Sequence, residues 1–85
     1  MASGNAAHIH GYLGRRVHQA RSAGEKHVAF MVGDVRDALG LRGTAVDVDI
    51  HQVLLTKKFP REARAKFLCM AEQGLDAVYL FRVLP

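Results

Sequence analysis

The sequence predicts a single α+β domain in which three helices pack with a small antiparallel β-sheet. Three segments carry apolar residues at helical spacing, and the segments 27–32 and 77–84 are apolar and rich in β-branched or aromatic residues. The length of 85 residues and the composition, 49% apolar and 24% charged, suit one folded soluble domain. We expect residues 8–85 to form this single domain and the small, polar residues 1–7 to be disordered.

The first predicted helix covers 8–23. Its apolar face recurs at i, i+4, i+8 and i+11 and consists of Ile9, Leu13, Val17 and Ala20. Arginines and other polar side chains fall outside that face. Gly24 follows at the position where glycine commonly ends a helix.

A short strand, HVAFMV, is predicted at 27–32, and Gly33 bounds it. Asp34 is then expected to act as the N-cap of a second, short helix that ends at Gly40. The inner face of this helix is expected to consist of Val35, Ala38 and Leu39.

The third helix is predicted at about 45–57. Thr44 and Asp47 form a Ser/Thr-x-x-Asp pattern at its start, a relative of the capping box. Its inner stripe is expected to consist of Val46, Ile50, Val53 and Leu54.

The segment 59–73 admits two interpretations. Its propensities are those of a helix with Pro60 in the first turn. Its context favours a β-hairpin, because the strongly strand-like segment 77–84 needs a partner and Gly74 provides a turn. We favour the hairpin, preceded by a helical turn at 60–65, with Cys69 as a small buried side chain.

The order helix, strand, helix, turn, helix, hairpin resembles the winged helix-turn-helix family. The resemblance is carried by FMVGDVRDALGL (30–41), TAVDVDIHQVL (44–54) and FLCMAEQGLDAVYLFRVL (67–84), and it covers almost the whole chain. In that family the third helix commonly lies in the major groove of DNA, while the wing and basic flanks contact phosphates. Some members instead bind RNA or other proteins.

The resemblance implies two sets of DNA-binding residues. Base contacts would come from the turn and the outer face of the third helix, at Arg42, Thr44, Asp47, His51 and Gln52. Phosphate contacts would come from a basic stretch and the first helix, at Lys57, Lys58, Arg61, Arg64 and Lys66 with Arg15, Arg16 and Arg21.

Two features weigh against base reading by the third helix. Residues 34–56 carry two Arg and four Asp, net −2, whereas 1–33 and 57–85 are each net +3. Asp47 also has a structural explanation, because a carboxylate in a first helical turn stabilises the exposed N–H groups there. Val48 and Leu55 lie nearly opposite the inner stripe and indicate a seam for another helix, either from this chain or from a second copy.

Catalytic and metal chemistry find little support in the sequence. There is no nucleophile with a matched base, no phosphate-binding glycine loop and no paired carboxylates, so we expect no enzyme and no cofactor. His8 and His10 are two residues apart and would not face each other on a helix, so no metal site is expected.

The expected function is that of a small basic DNA-binding protein that regulates transcription. The net charge of +4 and the pI near 9.7 are consistent with a double-stranded DNA partner. A homodimer is left open, and no membrane or small-molecule partner is expected. A cytoplasmic location is expected because no signal peptide or membrane-spanning segment is visible. The alternative is a winged-helix module that binds protein or RNA.

Overall fold

The computed structural model describes residues 4–41, 44–74 and 76–85. Within these ranges the chain forms four helices and three strands. The helices are α1 (Gly4–Ser22), α2 (Val32–Leu39), α3 (Thr44–Leu55) and α4 (Lys58–Ala63), and the strands are β1 (His27–Met31), β2 (Ala65–Gln73) and β3 (Asp76–Val83). None of the helices in these ranges combines the length and the hydropathy needed to cross a bilayer.

The α+β class is confirmed by a three-stranded antiparallel sheet of order β1-β3-β2. Phe30 of β1 lies opposite Tyr79 of the central strand, and Phe67 of β2 lies opposite Phe81. The hairpin expected from segment 77–84 is therefore confirmed, and the helical alternative for 59–73 is wrong. Segment 65–73 forms a strand despite its helix propensity, because it pairs with β3. Strand β3 places Ala77, Tyr79 and Phe81 in the core at every second residue.

Helix α1 begins at Gly4, four residues before the predicted start. Residues 4–7, which we expected to lack regular structure, form its first turn, while residues 1–3 lie outside the described ranges. The helix ends where expected. Gly24 adopts a left-handed φ of 78°, and the following Glu25 N–H donates to the carbonyl of Ala20 at 2.9 Å.

Helix α2 begins at Val32, so the expected N-cap role of Asp34 is wrong. The N-cap residue is Met31, whose side chain makes no capping bond. A distant carboxylate takes that role, because the Gly33 N–H donates to Asp76 at 3.1 Å (Oδ1) and 3.2 Å (Oδ2). The predicted end is confirmed at Gly40, whose φ is 66°.

A separate short helix follows α3. The Thr56 hydroxyl donates to the carbonyl of Val53 at 2.8 Å and accepts from the Phe59 N–H at 3.4 Å, which turns the chain into α4. This helix begins at Lys58, earlier than the turn expected at 60–65, and ends where Arg64 adopts a left-handed φ of 57°.

The core lies between the helices and one face of the sheet. The predicted inner faces of α1 and α3 are buried throughout, whereas in α2 Val35 is buried, Leu39 is partly buried and Ala38 is exposed. Phe59 anchors α4 in this core, with its ring centroid 6.2 Å from that of Phe30 and 5.4 Å from that of Phe81.

Strand β2 lies at an edge of the sheet and is mostly exposed. A bulge between Phe67 and Cys69 shifts its register against β3. Cys69 is exposed, so its expected burial is wrong. The reason is that Cys69 lies opposite Leu80, on the face of the sheet that does not carry the core residues Tyr79 and Phe81.

Candidate nucleic-acid interface

The five residues expected to contact bases lie in different environments in the structure. Arg42 lies outside the described residues, and Thr44 begins α3 although its side chain is not described. Asp47 and His51 are half-buried and make contacts inside the molecule, whereas Gln52 is exposed on α3.

Asp47 is held by an arginine of the neighbouring helix. Arg36 Nη1 donates to its carboxylate at 2.9 Å (Oδ1) and 3.0 Å (Oδ2), and this contact joins α2 to α3. The hydrogen bond and the charge of Asp47 raise the pKa of Arg36. The helix-end role inferred for Asp47 is therefore incomplete, because the carboxylate also pairs with a cation that the sequence did not link to it.

His51 is tied to the sheet. Its Nδ1 lies 2.6 Å from the Tyr79 hydroxyl, and the two rings meet edge to face with centroids 5.5 Å apart. Burial raises the pKa of Tyr79, so this side chain remains a neutral phenol at ordinary pH. The contact fixes α3 against β3 and occupies one ring nitrogen of His51.

A cleft of about 630 Å³ separates the start of α3 from the β2–β3 turn. Its ionisable lining consists of Arg36, Asp47, His51, Glu72 and Asp76. Carboxylates therefore outnumber guanidinium groups three to one in its lining, and the cleft is acidic. Phosphate groups would be repelled at this position.

The eight cations expected to contact phosphate do not form one surface. Lys57 and Lys66 line a groove of about 460 Å³ between α3, α4 and β2, together with the exposed apolar side chains of Leu55 and Phe67. The other cations lie on α1 and α4. The sequence could not reveal this division, since it depends on α4 being a helix.

A second group of cations gathers where α1 packs against α4. Arg15, His18 and Arg64 line a cleft of about 360 Å³ between the two helices, in which Glu62 is the lining carboxylate. Lys58 and Arg61 are exposed on α4 itself. We call the set Arg15, His18, Lys58, Arg61 and Arg64 the basic surface.

Two further arginines of α1 have structural partners. Arg21 also lines the cleft of Arg15 and Arg64, but it donates from Nε to the carbonyl of Leu84 at 2.8 Å and from Nη2 to that of Ala63 at 2.7 Å. It therefore fastens α4 and residue 84 to α1. Arg16 donates to the Tyr12 hydroxyl at 2.9 Å and lines a different pocket, together with Glu25.

The apolar pair on α3 is exposed. Val48 is 53% and Leu55 is 63% accessible, so packing against another described part of this chain does not cover them. Within the described residues, no other helix of this chain covers the seam, so the intramolecular interpretation is not supported there.

Within the described ranges, no three histidine, cysteine or carboxylate side chains lie close enough together to bind a metal ion. Comparisons of the chain with protein-family models, with curated proteins and with solved structures find no significant match. Any function for this protein therefore has to be inferred from the placement of its own residues.

Proposed function

We propose that this protein is a small winged-helix DNA-binding protein that holds duplex DNA chiefly by its phosphates, through the basic surface on α1 and α4. A cytoplasmic role in transcription regulation belongs to the same proposal. The observation that carries it is the packing of α4 on α1, which brings Arg15 and Arg64 to one cleft, while Lys58 and Arg61 are exposed on α4.

The order of the elements supports the winged-helix part of the proposal. Helix α1, strand β1, helices α2 and α3 and the β2–β3 hairpin follow one another as the resemblance implies. The short helix α4 stands between α3 and the hairpin, where the resemblance implies no helix. A fold alone does not establish a function, so the DNA-binding part depends on charge and geometry.

Charge supports phosphate binding by the basic surface. The affinity of proteins for DNA depends mainly on cations that neutralise phosphates and release counterions. Four of the five side chains of the basic surface are permanently charged, and Glu62 is the carboxylate that lines their cleft.

The surroundings of α3 favour this surface over the groove-reading helix. Asp47 is paired with Arg36, His51 is bonded to Tyr79, and the adjoining cleft is acidic. A helix that enters a DNA groove also needs a polar outer face, whereas Val48 and Leu55 make this one partly apolar. We therefore expect little discrimination between DNA sequences.

The test is the affinity of the protein for a fluorescent DNA duplex, measured by anisotropy. The double variant Arg15→Ala/Arg64→Ala should bind at least tenfold more weakly than the unchanged protein, because it loses two phosphate contacts. Arg16→Ala is the matched control, since Arg16 lies on the same helix but outside the basic surface, and it should bind nearly normally.

Three outcomes would contradict the proposal. One is equal binding by the double variant and the control. Another is a marked preference for duplex RNA of the same sequence, which would favour the RNA-binding alternative. The third is that Arg42→Ala changes the preference between DNA sequences, which would indicate that residues near the start of α3 contact bases.

A further inference from the structure

The large apolar side chains exposed within the described residues belong to two elements, α3 and β2. They are Val48 (53%), Leu55 (63%), Phe67 (41%), Leu68 (40%) and Met70 (45%). Phe67 and Met70 stand opposite Phe81 and Tyr79 of β3, whose side chains are in the core. They therefore lie on the helix-facing side of the sheet, and with Val48 and Leu55 they form what we call the α3–β2 face.

The two ends of the α3–β2 face carry opposite charge. At the end of α3, Lys57 and Lys66 flank the groove formed by Leu55 and Phe67. At the start of α3 lies the cleft with three carboxylates, one of them Glu72 near the end of β2. Because β2 runs from the lysine end to the carboxylate end, the face is positive at one end and negative at the other.

We propose that the α3–β2 face binds a second copy of this chain, with the two α3 helices antiparallel across a twofold axis. Val48 and Leu55 are seven residues apart, close to two helical turns, so Val48 of each copy lies against Leu55 of the other. The same rotation brings Lys57, at the end of α3 in each copy, towards the carboxylate cleft with Glu72 at the start of α3 in the other. One symmetric arrangement therefore buries the apolar side chains and brings opposite charges together.

Other occupants match the face less well. A parallel pair of copies would place the two carboxylate clefts side by side, which like charges oppose. A foreign acidic peptide would complement the lysine end and be repelled at the other end. Self-association in the antiparallel sense complements both ends.

The size of the face predicts a reversible dimer. The apolar part of the face consists of four side chains, each between 41% and 63% exposed, and α3 extends over about 18 Å. Permanent dimers bury on the order of 1,000 Å² or more per partner in strongly apolar interfaces. We therefore expect monomer and dimer to exchange, with the dimer fraction rising with protein concentration.

The proposed dimer is independent of the proposed DNA binding. The cleft that contains Arg15 and Arg64 is lined by none of the four side chains of the α3–β2 face. Loss of the dimer should therefore leave the basic surface of each copy intact, and the two proposals can fail separately.

The first experiment is sedimentation velocity of the full chain over a wide range of concentration. The unchanged protein should move from monomer towards dimer as concentration rises. Leu55→Glu should remain monomeric, while circular dichroism shows the helices unchanged, because Leu55 is exposed in the monomer. Leu68→Glu is the matched control, since Leu68 is also exposed on β2 but does not line the groove formed by Leu55 and Phe67, and it should dimerise normally. A protein that stays monomeric throughout would overturn the proposal.

The second experiment reverses charges at the two ends of the α3–β2 face. Lys57→Glu and Glu72→Lys are exposed changes that should each weaken the dimer, because each places like charges opposite one another across the axis. The double variant Lys57→Glu/Glu72→Lys carries the reversed pair in both copies and should recover the dimer. A double variant as monomeric as the single ones would overturn the antiparallel arrangement. Recovery supports a second copy over any foreign acidic partner, which the double change would not restore.

Discussion

Arg36 and Asp47 form the contact that joins α2 to α3, with Nη1 of the arginine 2.9 Å from Oδ1 of the carboxylate. Asp37 adds a longer contact to the same guanidinium at 3.8 Å. The acid in the first turn of α3 is therefore part of the packing between two helices. This contact explains why an acidic residue stands at the start of a helix that resembles a DNA-reading one.

Replacing Asp47 should cost stability without weakening DNA binding. Both side chains of the pair are about one-third exposed, at 35% and 36%. Such a solvent-exposed pair contributes little to stability, so we expect Asp47→Asn to lower the free energy of unfolding only slightly. Urea denaturation measures the loss, and a double-mutant cycle with Arg36→Ala isolates the pairwise part.

The DNA affinity of Asp47→Asn separates packing from base recognition. If Asp47 accepted a hydrogen bond from cytosine, the variant would lose sequence preference while its stability stayed unchanged. That combination would contradict the assignment of Asp47 to helix packing.

Asp76 should matter more for stability than Asp34. Asp76 accepts the Gly33 N–H at the start of α2, whereas Asp34 is exposed in the first turn of that helix. Loss of such a cap commonly costs about 0.5–2 kcal/mol, so Asp76→Ala should lower the denaturation midpoint clearly. Asp34→Ala is the control and should change it little. Equal effects of the two substitutions would show that the capping assignment is wrong.

Tyr79→Phe should remove the hydrogen bond to His51. A net loss of about 1 kcal/mol is expected for one such bond, since His51 is half-buried and can turn to water. Thermal denaturation of the variant beside the unchanged protein measures this loss. An unchanged midpoint would indicate that the contact contributes nothing to stability.

The raised pKa of Tyr79 also predicts alkaline sensitivity. Burial favours the neutral phenol in the folded state, so the stability it contributes is fully present below the ordinary tyrosine pKa near 10. As pH rises past that value the unfolded chain ionises first, and this contribution is lost towards the folded-state pKa. Unfolding at high pH should therefore show a smaller pH dependence in Tyr79→Phe. The same dependence in both proteins would refute this attribution.

Phe59 should be the residue that keeps α4 in place. It is 1% exposed and contacts Phe30 and Phe81. Phe59→Ala is expected to cost about 3–5 kcal/mol and to weaken DNA binding, because Arg61 and Arg64 depend on the position of α4. Phe67→Ala, measured in dilute protein, should cost clearly less, since Phe67 is 41% exposed. A similar cost for both would mean that α4 is not anchored through Phe59.

Apolar periodicity predicted the parts of the fold that depend on local sequence. The inner faces of α1 and α3, the glycine ends of α1 and α2, and the hairpin all follow from it. It failed where the decisive partner is distant in the chain. Asp76 caps α2 from 43 positions away, and Arg21 binds carbonyls around residue 63, and neither contact has a local signal.

The candidate interface was harder to predict for the same reason. Lys57 and Arg64 are close in sequence, yet Lys57 lines the groove beside β2 and Arg64 lines the cleft beside α1. A run of cations does not show which side chains share a face until the element that carries them is known. Here that element is α4, which is too short for periodicity to indicate.

The most direct test of the central claim is the salt dependence of duplex binding. The logarithm of the binding constant should fall linearly with the logarithm of salt concentration, with a slope that corresponds to about four phosphates, one for each Lys or Arg of the basic surface. Two duplexes of unrelated sequence should give the same line. Affinity that does not change with salt, or a line that differs strongly between the two sequences, would contradict the proposal that this protein holds DNA by its phosphates.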